Sequence, residues 1–406
     1  MFDIDTVRTS IPALKAGIAH FDGPGGTQTP ASVIDAMAEA LAQPLSNRGT
    51  VTPGERNADQ IVSGGASEAR RAMADLLAAE ESAIVFGRSA TQLTYDFART
   101  LARTWEPGDD VVVTRLDHDA NIRPWQQMAA REGVTLRWAD FDPETGELAV
   151  EHISDVLSER TRLVAVTAAS NLIGSRPPIA AIARLVHQAG ALLYVDGVHY
   201  AAHDAVDFAA LGADFFVCSP YKFLGPHVGV LASRPALLDS LKPDKLLPSS
   251  DAVPERFELG TLPYELLAGT RAAVDYIADL SAKSPTTHRR RRLVAAMALI
   301  GKHEQVLRAQ LDAGLLELGE AVTSHSRAQE RTPTTLLTFA DRDAQDAYRF
   351  LASRSVQAPA GSFYAVEASK RLGLGSAGGL RVGLSPYNDS SDVTRLLNGL
   401  HDFLRS

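Results

Sequence analysis

From about Ser82 to Arg234, short hydrophobic runs alternate with longer stretches in which hydrophobic residues recur at helical spacing. Six of the short runs are strand candidates, at residues 83–86, 110–114, 161–167, 192–196, 215–219 and 228–231. Two of the intervening stretches, 89–103 and 178–190, are helix candidates. Strands that are hydrophobic throughout and joined by helices are typical of an α/β fold with a mainly parallel sheet covered on both faces.

The pattern changes after about Thr270. A helical stretch at 289–318 is followed by a strand, a helix, a strand and a last helix, at residues 334–339, 342–354, 379–384 and 390–405. We therefore expect a large domain over residues 21–282 and a smaller C-terminal α/β domain over 283–406. Residues 1–20 are expected to form an N-terminal segment that packs with the smaller domain. The segment Lys283-Ser-Pro-Thr-Thr is predicted to be a hinge.

Composition narrows the possible classes of protein. The chain has 406 residues, of which 45% are hydrophobic and 22% charged, as in ordinary globular proteins with a large core. Its net charge of −9 argues against nucleic acid or an anionic membrane as the main partner, and we interpret the basic cluster at 288–292 as the solvated start of a helix. The single cysteine, Cys218, excludes an intrachain disulfide. With no signal peptide and no spanning hydrophobic run, a cytoplasmic protein is expected.

Two residues suggest a specific chemistry. Asp196 ends the hydrophobic run 191–196, and Lys222 ends the run 214–222, so each lies where a buried strand leads into a loop. In parallel sheets, ligands bind beyond the carboxyl ends of the strands. A lysine that forms a Schiff base, and an acid that keeps the ring nitrogen protonated, are what pyridoxal 5'-phosphate requires. The pair therefore predicts a pyridoxal phosphate site, and no metal site is predicted.

Further positions fit such a site, each with a simpler alternative. The segment Gly87–Thr91 offers the backbone N–H groups and small side chains that hold a phosphate, or it is a plain helix cap. Ser219 is a second candidate phosphate contact. His118 follows a strand and is suited to stack on a flat ring, or it is an ordinary loop histidine. Arg381, inside a hydrophobic strand, is a candidate to bind a substrate carboxylate, or it forms a structural ion pair.

These residues occur in order within motifs that resemble those of class V aminotransferases of the cysteine desulfurase type, which are fold-type-I pyridoxal phosphate enzymes. The likeness runs from Phe21-Asp-Gly-Pro-Gly-Gly-Thr to Leu380-Arg-Val-Gly-Leu-Ser-Pro-Tyr-Asn388. It is greatest for a subgroup usually called cysteine desulfurase-like. The resemblance implies a fold-type-I transferase fold whose large domain binds the cofactor.

The resemblance also implies a role for each matching position. The positions that match cofactor contacts are the phosphate-binding turn Ser89, Ala90 and Thr91, the stacking His118, the ring-oxygen contacts Asn171 and His199, the pyridinium partner Asp196, the phosphate contacts Ser219 and Tyr221, and the Schiff-base Lys222. Two of these depart from the family. Tyr221 stands where the family commonly has histidine, although its hydroxyl can still donate to phosphate. His199 stands where the family often has glutamine.

The family's substrate and partner contacts have counterparts as well. Arg381 matches the arginine that binds the substrate carboxylate, and Asn171 is expected to contact the same carboxylate. Asn47 resembles part of a loop on the substrate side. Gly260 and Thr261 match a loop that reaches the phosphate of a neighbouring subunit, so the resemblance implies a homodimer.

A third departure bears on the reaction. Cysteine desulfurases carry a mobile cysteine upstream of the arginine, but the corresponding stretch here, Ala358–Ala365, has none, and Cys218 lies in a predicted buried strand. We therefore expect an enzyme that acts on an α-amino acid through an external aldimine, with Lys222 and His118 as catalytic residues and Lys222 removing the Cα proton. β-Elimination of the C–S lyase type is favoured, and transamination and epimerisation are the alternatives. A non-enzymatic cofactor carrier or partner subunit is disfavoured by the retained Arg381.

Overall fold

The computed structural model describes residues 2–63, 68–281 and 286–406, and its strands form three sheets. The strands of these residues are, in chain order, β1 (Ala19–His20), β2 (Ile84–Gly87), β3 (Asp110–Thr114), β4 (Thr135–Ala139), β5 (Thr161–Thr167), β6 (Leu192–Asp196), β7 (Phe215–Cys218), β8 (Gly229–Ser233), β9 (Val322–Ser324), β10 (Thr334–Phe339), β11 (Val356–Gln357), β12 (Ala360–Gly361) and β13 (Gly379–Gly383).

Helices cover the sheets. In the same residues the α-helices are α1 (Ile4–Ser10), α2 (Ala31–Ala42), α3 (Pro53–Ser63), α4 (Ala69–Leu77), α5 (Ala90–Ala102), α6 (Arg123–Glu132), α7 (Val150–Ser154), α8 (Ile179–Gln188), α9 (Phe208–Leu211), α10 (Pro235–Ser240), α11 (Tyr264–Asp279), α12 (Arg289–Glu317), α13 (Ala344–Ala352), α14 (Val366–Arg371) and α15 (Ser390–Arg405). Among these described helices, none is both long enough and hydrophobic enough to cross a membrane.

The largest sheet has seven strands in the order β2-β8-β7-β6-β5-β3-β4. Strands β3 to β7 pair in parallel, and β8 is antiparallel to both β7 and β2. The predicted α/β fold with a mainly parallel sheet is therefore confirmed. The pattern missed β4, one of the two edge strands, because Thr135 is exposed, the next three residues are half-buried and only Ala139 is buried. An edge strand has a neighbour on one side only, so it needs no continuous hydrophobic run.

A second sheet, of four antiparallel strands, is built from the C-terminal part of the chain in the order β12-β13-β10-β9. The N-terminal segment joins this part of the molecule, because β1 pairs in parallel with β11 and Ala19 lies opposite Val356. Arg8 adds an ion pair to Asp392 at 2.8 Å. The predicted boundary at 282–283, and Lys283–Pro285 of the predicted hinge, lie outside the described residues, so the domain division stays a prediction.

Helix α12 connects two of the three hydrophobic cores of the described residues. Its first half buries Leu293 and Ile300 in the cluster that also contains the residues of β5 and β6. Its second half buries Leu307 and Leu311 in the cluster around β10 and β13. The basic residues at its start contact acidic residues on α4 and α11, through ion pairs from Arg289 to Asp75 and Asp275 and from Arg292 to Asp279.

Glu258 is a buried carboxylate that ties a loop to the large sheet. Its two oxygens accept hydrogen bonds from the Arg70 guanidinium at 2.9 and 3.1 Å, and Oε1 also accepts the Phe86 N–H at 2.9 Å. Arg70 belongs to α4 and Phe86 to β2. The side chains of Arg70 and Glu258 are only 5% and 4% exposed. This bidentate pair therefore operates away from water, where its loss leaves an uncompensated charge.

We expect Glu258→Ala to lower the free energy of unfolding by about 3–5 kcal/mol, because the Arg70 guanidinium would stay buried without its carboxylate. The matched control is Glu81→Ala, since Glu81 pairs with Arg71 at the surface, where both side chains are more than two-fifths exposed. A much smaller change is expected there. Urea unfolding followed by circular dichroism measures both variants. Equal losses would contradict a special contribution from the buried pair.

Candidate active site

A cavity of about 660 Å³ lies at the carboxyl edge of the large sheet. It forms there because β5, β6 and β7 end at the same level: Thr167 lies opposite Asp196, and Asp196 opposite Val217. The predicted site residues that line the cavity are Ser89, Ala90, Thr91, His118, Asn171, Asp196, His199, Ser219, Tyr221, Lys222 and Arg381. The structure thus brings together most of the residues singled out from the sequence.

Lys222 ends a short 3₁₀ turn, Pro220–Lys222, that follows β7. The residue is only 8% exposed, and its Nζ donates a hydrogen bond to the Pro24 carbonyl oxygen. Burial and, to a smaller extent, the charge of Arg381 together lower the pKa of the Lys222 amine to about 7, while Asp22 and Asp196 oppose the change. A substantial fraction of the amine is therefore neutral near pH 7, as a nucleophile or base requires.

Asp196 is the last residue of β6. Burial raises the pKa of its carboxyl to about 6, against the opposing effects of the Val198 N–H bond and the Lys222 charge. The Val198 N–H donates to Oδ1 at 2.9 Å. The next residue, Gly197, passes so close to Phe216 that a Cβ would lie 1.9 Å from the ring. Only glycine fits there, and the carboxylate is held at the inner end of the cavity with little water around it.

His118 presents an uncharged ring to the cavity. Burial lowers the pKa of its imidazole to about 4, and the charges of Lys222 and Arg381 add to the effect. Its Nδ1 accepts the Ala120 N–H at 3.0 Å, so in the neutral ring the proton is on Nε2. The buried Asp117 stabilises the turn that carries His118, because its Oδ1 accepts a hydrogen bond from Asn121 Nδ2 at 2.7 Å. The ring is therefore flat, neutral and fixed in one tautomer.

The start of α5 lies on the same cavity. Ser89 is its N-cap, with Oγ accepting the Gln92 N–H at 3.1 Å, and Ala90 and Thr91 follow in the first turn. Gly229 of β8 packs against this turn, since a Cβ there would lie 2.3 Å from the Ser89 carbonyl carbon. The exposed N–H groups and the helix dipole favour an anion at this point.

Arg381, in β13, is almost fully buried and already has partners. Its Nη2 pairs with Asp22 at 2.6 Å, and Nη1 donates to the Asn171 carbonyl oxygen at 3.1 Å. The guanidinium carbon lies 3.7 Å from the centroid of the Phe363 ring. Nε is buried and has no hydrogen-bond partner in the described residues. The ion pair considered as an alternative therefore exists, and Asp22 is the partner that the sequence reasoning missed.

The segment that corresponds to the desulfurase cysteine loop is fixed at the rim of the cavity. Phe363 and Tyr364 have φ of +51° and +58°, a left-handed conformation that costs about 1–3 kcal/mol per non-glycine residue. The Phe363 carbonyl accepts Asn171 Nδ2 at 2.9 Å, and the Tyr364 carbonyl accepts the Asp119 N–H at 2.7 Å. These two bonds hold the strained turn in place.

His199 lies three residues after β6, lines the cavity and contacts two threonines near the start of β10. Its Nε2 lies 2.9 Å from the Thr332 hydroxyl and 3.0 Å from the Thr334 hydroxyl. Burial lowers the pKa of its imidazole well below the ordinary value, and the charge of His203 adds to this. The two rings are in edge contact, with centroids 4.9 Å apart. His199 is therefore a neutral side chain with one nitrogen engaged by hydroxyl groups.

Three predicted residues lie outside the cavity of their own chain. Asn47, Gly260 and Thr261 are exposed, and the Thr261 hydroxyl lies 3.4 Å from Asn47 Oδ1. Cys218 is also absent from the lining, and burial in β7 raises the pKa of its thiol. A lining residue that the sequence reasoning missed is Arg123, which follows the His118 turn. Its position four residues after Asp119 was the available signal, because this spacing allows an ion pair.

Known proteins match this chain along nearly its whole length. The family model Aminotransferase class-V matches residues 19–396. A probable cysteine desulfurase from Pseudomonas aeruginosa is 31% identical over 97% of this chain and 96% of its own. The aminotransferase-like protein FGM3 from Gibberella zeae is 31% identical over 98% of each chain. The apo structure of a cysteine desulfurase from Thermococcus onnurineus NA1 superposes with a TM-score of 0.88 at 24% identity, covering 99% of this chain and 98% of that chain, so the two share a fold.

The buried amine gives a prediction that needs no ligand. Acetylation of Lys222 by a low dose of acetic anhydride should rise as the pH increases through about 7, because only the neutral amine reacts and its pKa lies there. Peptide mass spectrometry measures the labelled fraction, with the exposed Lys242 as internal reference. In Arg381→Gln the midpoint should move to higher pH, since a charge that lowers the pKa is removed. A midpoint near 10.5 in the unaltered protein would contradict the described environment.

Proposed function

The chain belongs to the class-V aminotransferase family, and from that premise we propose that it is a pyridoxal phosphate-dependent enzyme that acts on an α-amino acid. The favoured reaction is β-elimination of the C–S lyase type. The observation that carries the proposal is the convergence of Lys222, Asp196 and His118 on one cavity, where burial shifts the pKa of each side chain from its ordinary value. Groups perturbed in this way cluster at catalytic sites.

The residues present fit this cofactor. Asn171 Oδ1 and Arg381 Nε are buried polar atoms without hydrogen-bond partners in the described residues, and both side chains line the cavity. Leaving such an atom unsatisfied costs about 1–3 kcal/mol, so a polar ligand that contacts them is favoured. The start of α5, which also lines the cavity, adds an anion site. Pyridoxal phosphate offers a phosphate for the start of α5 and polar ring substituents for Asn171, and it leaves Arg381 Nε for the carboxylate of an amino acid.

The proposed contacts follow from the lining. Lys222 Nζ would hold the cofactor covalently, Asp196 would pair with the ring nitrogen, and His118 would lie against the ring. The first turn of α5, with Ser89, Ala90 and Thr91, would hold the phosphate together with Ser219 and Tyr221, while Asn171 and His199 would contact ring substituents. When bound, pyridoxal phosphate supplies an electron sink for the charge that develops at the substrate Cα.

Lys222 is the proposed base for the Cα proton. A lysine with an ordinary pKa stays protonated at neutral pH and cannot accept a proton. With its pKa near 7, the Lys222 amine is matched to the pH at which the enzyme would work. His118 is neutral in the same range, so it places no positive charge near the amine that would disfavour the protonated form of Lys222.

Arg381 and Asn171 are the proposed contacts for the substrate carboxylate. Arg381 Nε has no partner in the described residues, whereas Nη2 is paired with Asp22. A substrate carboxylate that binds through Nε and Nη2 therefore has to share Nη2 with Asp22. This competition favours a substrate whose carboxylate approaches Arg381 from the Nε edge. Because Asp22 partly neutralises the guanidinium, the substrate carboxylate is attracted less strongly than by an unpaired arginine.

The cysteine inventory supports elimination without a protein persulfide. Residues 358–365 contain no cysteine, and Cys218, the single cysteine of the chain, is buried in β7 away from the cavity lining. Transamination is the second candidate, and the similarity to the aminotransferase-like protein from Gibberella zeae favours it. Both reactions begin with the same proton transfer to Lys222.

Purified protein loaded with pyridoxal phosphate should release pyruvate, together with sulfide or thiol, from L-cysteine or an S-substituted cysteine without added keto acid. Lys222→Ala should lose about 10²–10⁴-fold in rate, because the base is removed, and should also lose the absorbance band of the lysine-bound cofactor. Lys242→Ala, at an exposed lysine, is the control and should keep both. Activity that stalls until a keto acid is added would identify transamination instead. The absence of both reactions with common amino acids would contradict the proposal.

We further propose that the enzyme is a homodimer. Large hydrophobic side chains are exposed at the end of α2 and in the segments on either side of Asn47 and before Gly260, namely Leu41, Val51, Leu246, Leu247 and Leu259. Leu247 is 97% exposed. Large hydrophobic side chains left exposed to this extent favour an interaction surface. A second copy that covers them would bring Asn47, Gly260 and Thr261 toward the partner's cavity.

Leu247→Glu should shift the protein toward monomer and lower its activity, since a charge is placed in the proposed interface. Leu316→Glu, on the surface of α12, is the matched control because Leu316 is 82% exposed and far from these loops in sequence. Light scattering after gel filtration measures the mass. A mixing experiment tests the shared cavity: inactive Lys222→Ala and inactive Thr261→Asp chains, refolded together, should regain activity. No regained activity would contradict a contribution of Thr261 to the partner's site.

A further inference from the structure

A small cavity lies outside the active site, between α12, the segment 331–333 and the loop after β6. We call it the seam cavity, and its volume is about 50 Å³. Its charged and hydroxyl-bearing lining residues are Arg176, Tyr200, His203, Asp204, Glu304, Arg308, Arg331 and Thr332. We propose that the seam cavity binds a small inorganic oxyanion of the phosphate or sulfate class.

The first observation is an arginine without an acid. Arg308, on α12, donates Nη1 to the carbonyl oxygen of Arg331 at 2.9 Å, and no carboxylate of the described residues lies within ion-pair distance of it. The side chain is partly buried beside the Arg331 guanidinium. Burial lowers the pKa of Arg308, and the neighbouring Arg331 charge adds to the effect. Two guanidinium groups placed together repel each other unless a negative charge lies between them.

The second observation is an unused donor on the neighbouring arginine. Arg331 Nη2 pairs with Asp312 at 2.6 Å, but Nη1 is buried and has no partner in the described residues. The Arg331 side chain is only 10% exposed. A buried N–H group without an acceptor costs about 1–3 kcal/mol. An oxyanion in the seam cavity would accept from this group and neutralise Arg308 as well.

Both carboxylates that line the seam cavity, Glu304 and Asp204, already have partners. Glu304 is engaged by His203, with Nδ1 to Oε2 at 3.0 Å. Asp204 pairs with Arg176, whose backbone N–H donates to the backbone carbonyl oxygen of Glu330, next to Arg331 in sequence. Of the three arginines in the lining, Arg176 is paired with Asp204 and Arg331 with Asp312. Arg308 is the one that has no carboxylate within ion-pair distance in the described residues, so its positive charge is left for a ligand to neutralise. Arginine is well suited to this role because its planar fork of donors matches an oxyanion.

The size of the seam cavity selects the ligand. One water needs about 10–15 Å³ of such volume, so the seam cavity has room for a few water-sized groups. That space suits a free tetrahedral anion and is too small for a nucleotide or another large organic phosphate. The ligand that fits the seam cavity is therefore a free inorganic anion.

The seam cavity is joined to the active site by a short contact path. Thr332 lines the seam cavity, and its hydroxyl lies 2.9 Å from His199 Nε2, whose ring lines the large cavity. His203, which is engaged by Glu304, is in ring contact with His199. An anion that orders the segment around Arg331 would therefore restrict His199. This consequence rests on the proposed function, whereas the binding itself does not.

The test uses protein loaded with pyridoxal phosphate, so that the anion site at α5 is filled. Isothermal titration with sodium sulfate, at ionic strength held constant with chloride, should show saturable binding. Arg308→Gln should weaken it at least tenfold, because the unpaired guanidinium is removed. Arg291→Gln is the matched control on the same helix, at an exposed position, and should bind as the unaltered protein does. Equal binding by all three proteins, or no saturable binding, would overturn the proposal.

A second variant and a second ligand complete the experiment. If Arg308→Gln fails to fold by circular dichroism, Arg308→Lys replaces it, since lysine keeps the charge but lacks the planar fork. Weakened binding in that variant supports the site, and unchanged binding counts against it. Glycerol 3-phosphate, titrated in parallel, separates a free anion from a phosphate ester. The ester should bind more weakly than inorganic phosphate, and tighter binding would overturn the assignment to a free anion.

Discussion

The active site depends on the register of three parallel strands. Because β5, β6 and β7 are paired so that Thr167, Asp196 and Val217 lie side by side, the residues that follow each strand arrive at the same place. This register, together with the turns that follow β5 and β7, brings Asn171, Asp196 and Lys222 together although they are dispersed along the chain. A shift of one strand by a single residue would turn its last side chain to the other face of the sheet.

Gathering these groups in one dry cavity has an energetic cost that the rest of the fold has to offset. The positive charges of Lys222 and Arg381 disfavour each other, and burial disfavours both. Asp22 and Asp196 compensate in part, and the left-handed turn at Phe363 and Tyr364 adds strain. Natural sequences accept such local conflicts mainly where function requires them. The large hydrophobic cores on both faces of the seven-stranded sheet provide the stability that makes this possible.

Features that depend on residues close together in the sequence were predictable, and features that depend on distant residues were not. The central strands were recognisable because burial on both faces leaves a continuous hydrophobic run. Helix α12 was recognisable because hydrophobic residues recur at helical spacing over many turns. β4 was not, because this edge strand is only half-buried over most of its length and has no continuous hydrophobic run. The Asp22–Arg381 pair joins residues near opposite ends of the chain, and no pattern within either segment indicates it. The positive φ angles of Phe363 and Tyr364 are imposed by distant hydrogen bonds, since neither residue is a glycine.

The pairing of β1 with β11 has a consequence for how the protein is made. The ribosome delivers residues 19–20 early, yet their partners, residues 356–357, emerge near the end of synthesis. At ordinary elongation rates of about 5–20 residues per second, the N-terminal strand has no partner for on the order of tens of seconds. The seven-stranded sheet, built from residues 84–233, can be completed during that interval. The four-stranded sheet and the N-terminal segment therefore come together last, and chaperones that hold exposed strand edges would act on this chain at its first twenty residues.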